Sequence, residues 1–261
     1  MTRARSRDCT DAMKKPFGLP VAFICAVLFL RPAMHAADEC PVEVKLLLSP
    51  PTVHTVIASL RFGKEIAGRV YFFDTDALDL LRQGVIVRVR QGADNDLTVK
   101  VRVPGGDQQA DTGRLREHFP CAIDQTGAGE DTDYSVRRKF KVLQAPDMGS
   151  DIISLLSPPQ QRLLQDARVS TEWGQVKRIA DIRATKWEST AQSPFRKLVL
   201  ELWEWPTGSI LELSTKVGPH AGPSAYTELQ RLVALKGLPL SERQGTKTSI
   251  VLKALTHQVS P

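Results

Sequence analysis

The chain of 261 residues is short of the groups that build most metal and nucleophile sites. It has four cysteines and five histidines. His118 lies three residues from Cys121, but no Cys or His lies two to four residues from Cys40, and a single Cys–His pair does not make the four-ligand set of a zinc-type cluster. His54, His118, His220 and His257 are scattered, and no His–Asp–Ser arrangement stands out. Ser209 and Ser249 lack a nucleophile-elbow pattern. Gly105-Gly106 reads as a turn, because no lysine–Ser/Thr pair follows to make a phosphate loop. There is no internal repeat and no long linker. An excess of one charge is also scarce. Of the net +6, residues 1–36 contribute +4 through six basic and two acidic groups. A nucleic-acid binder driven by bulk charge is therefore not indicated.

Hydrophobic residues make up 42 % and charged residues 25 %, values of an ordinary globular chain with length enough for one large domain. The first forty residues read as a secretory signal. Lys14 and Lys15 give a positive start, and Met13 before them is the more usual initiator. Residues 21–30 (VAFICAVLFL) form an apolar run of ten. A bilayer-spanning helix needs roughly 20. Cleavage is expected after Ala36 or Ala37, giving a leader over 1–36 and a mature domain over 37–261 with no membrane span. Cys9 and Cys25 leave with the leader, so Cys40 and Cys121 remain for one disulfide in an exported, periplasmic or secreted protein. Such a bridge stabilises by roughly 4 kcal/mol through the long loop it closes.

The mature part is dominated by period-2 alternation, the signal of half-buried strands. Val42, Val44 and Leu46 alternate with Glu43 and Lys45. Val85, Val87 and Val89 alternate with Arg88 and Arg90, and Val99, Val101 and Val103 with Lys100 and Arg102. Leu198, Leu200 and Leu202 alternate with Glu201, and Leu211 and Leu213 with Glu212 and Ser214, ahead of Lys216. Helices are expected from Ser49-Pro50-Pro51 onward, over 75–83 with Thr75 as cap and Gly84 as stop, over 151–156 and 157–166, and over 224–236. Residues 104–113 and the acidic stretch 127–133 read as loops, and the stretch ending at Phe119-Pro120 as strand-like. Trp205-Pro206-Thr207-Gly208 fits a tight hairpin. The whole describes one mainly β domain with a few external helices.

The polar faces of these strands are repeatedly basic, with acids recurring at Glu43 and Glu212. Two arrangements satisfy that pattern. The charged face can meet solvent, or it can line the inside of a closed barrel as a cationic tunnel. A tunnel of that kind suits a phosphate chain, with carboxylates available for a divalent cation.

The block Tyr71-Phe72-Phe73-Asp74-Thr75-Asp76, Leu80-Leu81, Gly84, Val87-Arg88-Val89-Arg90 and Leu97-Thr98-Val99-Lys100 resembles the CYTH superfamily, the triphosphate tunnel metalloenzymes. Pro41-Val42-Glu43-Val44-Lys45 stands where that family has its glutamate–x–glutamate–x–lysine signature. Leu211-Glu212-Leu213-Ser214-Thr215-Lys216 resembles its late acidic strand, and residues 224–249 its closing helix and lysine-bearing tail. The likeness spans residues 40–255.

The resemblance implies a closed antiparallel eight-stranded barrel that takes polyphosphate or a phosphorylated small molecule, with Mg²⁺ or Mn²⁺ as cofactor. By matching position, Lys45, Arg88, Arg90, Lys100, Lys216 and Lys247 would hold phosphates, with Arg102 on the same face as Lys100. Glu43 and Glu212 would hold the metal, with Glu201 as a third acid. Arg116, Arg138 and Arg183 are further lining candidates, and the four tryptophans suit barrel ends. Two family carboxylates are replaced, by Pro41 and Ser214, so the phosphate grip is kept while the metal set is thinned. That favours a binding module with weak or no turnover. The alternatives are a metal-dependent tripolyphosphate or organic-triphosphate hydrolase and a non-catalytic interaction scaffold.

Overall fold

The computed structural model describes residues 40–92, 94–105, 112–141, 152–189 and 194–256. The expected leader, its cleavage positions and His257 lie outside them.

Nine strands form the framework: β1 (Val42–Leu48), β2 (Ile66–Asp74), β3 (Val85–Gly92), β4 (Asp96–Pro104), β5 (Cys121–Thr126), β6 (Gly129–Lys139), β7 (Lys177–Ser189), β8 (Leu198–Trp205) and β9 (Gly208–Val217). They close into one barrel in the order β1-β5-β6-β4-β3-β2-β7-β8-β9, with β9 returning to β1. The expected eight antiparallel strands are thus nine, and the β1–β5 join is parallel. The extra strand, β5, is covalently tied to β1. Cys40 and Cys121 are joined as a disulfide with 5.2 Å between their Cα atoms. This fixes the start of β5 beside the start of β1, and Ile123 N donates to Pro41 O at 2.9 Å.

The acidic stretch 127–133 is not a loop. Only Gly127 and Ala128 turn, and Asp131 and Asp133 lie on β6. Aspartate is a poor strand former, and here the cation of Arg102 against both carboxylates overrides that preference. The strand-like stretch before Pro120 is instead helix α3 (Gly113–His118), which places Leu115 and Phe119 together in the core.

The other helices are α1 (Val53–Ser59), α2 (Asp79–Arg82), α4 (Pro158–Asp166), α5 (Gly222–Leu235) and α6 (Lys247–Thr256). α1 follows a 3-10 turn at Pro50–Thr52, and α4 begins at a capping box in which Ser157 N donates to Gln160 Oε1 at 2.9 Å. α2 is shorter than expected, because Asp74 gathers the chain before it. Its carboxylate accepts from the backbone N–H of Thr75, Leu80 and Leu81 at 2.7–2.9 Å. Gly84 follows at φ +73, where a Cβ would lie 2.4 Å from Arg102 O. Only glycine fits that close approach.

The alternation resolves as a barrel turned inside out. Val42, Val44, Leu46, Leu211 and Leu213 point outward and are covered by α1 and α5. Val87, Val89, Leu97 and Val99 point outward against the α4 side. Inside, one end of the bore is filled by Leu47, Phe72, Trp203 and Ile210, sealed by Val251 and Leu252 of α6. Trp203 therefore closes a barrel end, whereas Trp187 packs in the outer core under the helices. Above the apolar floor, the bore is charged.

Candidate functional site: the charged bore

The open part of the bore is a cavity of about 520 Å³. It is lined by twelve basic side chains and six carboxylates, so its walls carry a surplus of positive charge. The residues expected to hold phosphate or metal all line it: Lys45, Arg88, Arg90, Lys100, Arg102, Lys216 and Lys247, with Glu43, Glu201 and Glu212. Ser214 lines it as well. Strand register brings them there. Glu43 opposes Lys216, Lys45 opposes Ser214, and Glu201 opposes Glu212.

Three further arginines do not reach the bore. Arg183 points to solvent with 71 % of its side chain exposed. Arg138 donates to Leu155 O at 2.6 Å and lies over the Phe140 ring. Arg116 sits on α3 and is exposed. Their strands and helix put them on the outer face, where a solvated arginine costs nothing.

The structure adds residues that the sequence reading did not single out. Asp124 lies beside Glu43 through the parallel β1–β5 register. It holds Lys45 at 2.7 Å, Arg102 at 2.6 Å and Lys100 at 3.9 Å. Asp133 holds Lys100 at 2.6 Å and Arg102 at 2.8 Å. Asp96 holds Arg90 at 2.6 Å and Arg137 at 3.7 Å. Toward the other side, Glu188 takes Lys186 and Lys197, each at 2.7 Å. Asp124 could have been found only by recognising residues 121–126 as a strand of the barrel.

Burial works against every charge in this bore, and the partners decide the outcome. For Asp124 burial is the largest influence, yet Lys45, Lys100 and Arg102 outweigh it and hold the carboxyl well below the ordinary range. Lys45 is desolvated too, but Glu43, Asp124 and Glu212 keep its ammonium charged beyond the usual lysine range. Lys100 goes the other way: burial, with the charges of Lys45 and Arg88, outweighs Asp124 and Asp133 and lowers it. Arg88 is lowered by burial and then by Arg90. Glu201, opposed by burial, is pulled down to about 2 by Lys247, with help from Trp203 and Arg88.

Among the described residues, four buried polar atoms of the bore have no hydrogen-bond partner: Arg88 Nε, Arg102 Nη1, Asp124 Oδ1 and Glu212 Oε2. Among the described residues, Arg88 and Lys216 ion-pair with no carboxylate, whereas Lys45, Arg90, Lys100, Arg102 and Lys247 each do. Two unpartnered donors, Arg88 Nε and Arg102 Nη1 on neighbouring strands, the first on a guanidinium with no ion-pair partner, suit an anion.

The expected metal set is engaged differently. Lys247 Nζ contacts both Glu201 and Glu212, the latter at 2.7 Å, and lies 4.7 Å from the centre of the Trp203 ring. Glu43 is 3.3 Å from Lys45. Among the described residues, no group of three or more His, Cys, Asp or Glu side chains is arranged to hold a metal ion. The carboxylates as they stand hold ammonium groups and do not fit a Mg²⁺ or Mn²⁺ centre, which asks for about six oxygens.

The barrel is closed, its charges face the bore and its valines and leucines face outward, and the chain carries the CYTH-like fold. Its structural neighbours include an adenylyl-cyclase-named protein from Hippeastrum described as having a dominant triphosphatase activity. The two are 19 % identical, with a TM-score of 0.57, covering 81 % of this chain and 94 % of that one. A protein from Bacillus halodurans named for adenylate cyclase is 18 % identical, with a TM-score of 0.54, covering 81 % of this chain and 97 % of that one. No family model matches the sequence, and no curated protein matches it by sequence. At these identities the likeness is one of fold.

Proposed function

We propose that this barrel binds a polyphosphate or triphosphate-bearing ligand in its basic bore and turns it over weakly or not at all. The observation that carries the reading is Arg88, a guanidinium inside the bore with its Nε buried and unpartnered and no carboxylate in ion-pair contact, Glu201 and Asp96 acting on it only from farther away. A buried cation without a counter-ion is costly, and a phosphate oxygen removes that cost. Arg102 Nη1 on the neighbouring strand β4 offers a further contact, and Lys216 on β9 faces the same cavity from across the barrel. Weak turnover follows from the carboxylates. Glu201, held near 2, is a poor general base at neutral pH. Tight ground-state binding does not by itself lower a chemical barrier.

The leader pattern and the Cys40–Cys121 bridge support an exported location, periplasmic or secreted. The test is calorimetry and thermal shift with inorganic tripolyphosphate, alongside phosphate release with Mg²⁺ or Mn²⁺. Stabilisation by tripolyphosphate with negligible release is the expected result. No stabilisation at any chain length would sink the reading and favour the interaction scaffold. Robust metal-dependent release would favour the second reading, a triphosphate hydrolase, which the activity named for the Hippeastrum neighbour supports.

A further inference from the structure

We propose that the Lys247 ammonium is a built-in substitute for a divalent cation between Glu201 and Glu212, so that the bore receives phosphate chains without a metal. The part concerning phosphate chains rests on the function proposed above. The part concerning the cation rests on geometry alone.

Glu201 and Glu212 are cross-strand partners on β8 and β9, both directed into the bore. Two carboxylates that close repel each other and need a cation between them. Lys247 supplies it, with Nζ in contact with both. The ammonium is delivered by a packed element. α6, of which Lys247 is the first residue, is anchored through Val251 and Leu252 in the apolar floor, at 0 % and 3 % exposure. The Trp203 ring stacks beneath the ammonium, and Trp203 Nε1 donates to the remaining Glu201 oxygen at 2.8 Å. Three of the four carboxylate oxygens are thereby taken, leaving Glu212 Oε2. One oxygen is far from the shell that a hard divalent cation requires. An ammonium has three N–H donors, and the two glutamates use two of them, so a third remains for a phosphate oxygen.

The wild-type protein and Lys247→Met are titrated with Mn²⁺ alone, read by calorimetry or by loss of the free Mn²⁺ resonance signal. The wild type is expected to take up no Mn²⁺ in the bore. The variant, with two carboxylates released, is expected to bind one Mn²⁺ at least about tenfold more tightly. Stoichiometric Mn²⁺ uptake by the wild type, or a folded variant that gains nothing, overturns the proposal. A second measurement needs no variant: wild-type affinity for tripolyphosphate in EDTA and in Mg²⁺ should agree within about threefold. A loss in EDTA beyond about tenfold overturns the proposal. Absence of tripolyphosphate binding in both media refutes the proposed function instead, and the wild-type Mn²⁺ titration still decides the role of Lys247.

Discussion

Replacing Asp124 by Asn should weaken the empty barrel and strengthen its grip on a polyanion at the same time. The side chain keeps its shape but loses its charge, leaving Lys45 at 2.7 Å and Arg102 at 2.6 Å without their shared counter-ion. Each charge-assisted bond lost is worth about 1.5–3 kcal/mol, and breaking a buried pair by removing one partner costs about 3–5 kcal/mol. A domain of this size shifts its Tm by about 2–4 °C per kcal/mol, which puts the loss at about 6–20 °C. The three cations that faced Asp124 then have less internal competition, so tripolyphosphate should raise the Tm of the variant by more degrees than it raises the wild type. Differential scanning calorimetry with and without ligand measures both halves. An unchanged Tm would mean that the ion pairs contribute nothing. A lowered Tm without extra rescue by tripolyphosphate would mean that the anion does not bind beside Lys45 and Arg102, and would refute the reasoning.

Arg88→Met should do the opposite: it removes an unpaired cation, raising the ligand-free Tm while lowering tripolyphosphate affinity about tenfold to a hundredfold, as read by calorimetry. Acid should unfold the barrel partly through Glu201, whose pKa drops from 4.5 to about 2 on folding. A depressed carboxylate stabilises above its unfolded value and loses that contribution as the pH falls through its folded value, so stability should decline from about pH 4.5 toward 2. Denaturant titration across that range should show a shallower decline in Glu201→Gln. The paired substitution Cys40→Ser with Cys121→Ser opens a loop of sequence separation 81 and should cost about 4.5 kcal/mol in denaturant unfolding, with hydrogen exchange of β5 rising first. Ser214→Glu, placing an acid next to Glu212 on the bore wall, should weaken tripolyphosphate binding; unchanged affinity would place the phosphates elsewhere.

The alternation of valines with arginines and lysines was readable because strand periodicity is strict. Once one residue of a strand faces inward, so does every second one, and this put Arg88, Arg90, Lys100 and Arg102 on one wall. What periodicity leaves open is which face is inside, and only the closed register decided it. β5 and the first half of β6 were hidden for a different reason. Residues 121–133 are rich in Gly, Asp and Thr, and they become strands through a disulfide and through cations contributed by β4. Those are long-range causes with no local trace. α3 was misread because Leu115 and Phe119 are four residues apart and too few to establish a helical period. The role of Lys247 was likewise beyond reach: its spacing names a basic residue near the end of the chain, while its partners lie 46 and 35 residues away.

The apolar floor formed by Leu47, Phe72, Trp203 and Ile210 with α6 sets the traffic of the barrel. A phosphate group would have to shed its hydration to cross that layer, at a cost of tens of kcal/mol for an isolated charge. Nothing ionic passes that way. That makes the barrel a socket rather than a conduit: a phosphate chain bound as proposed would be met at its terminus instead of being threaded, and would have to back out before the next could follow.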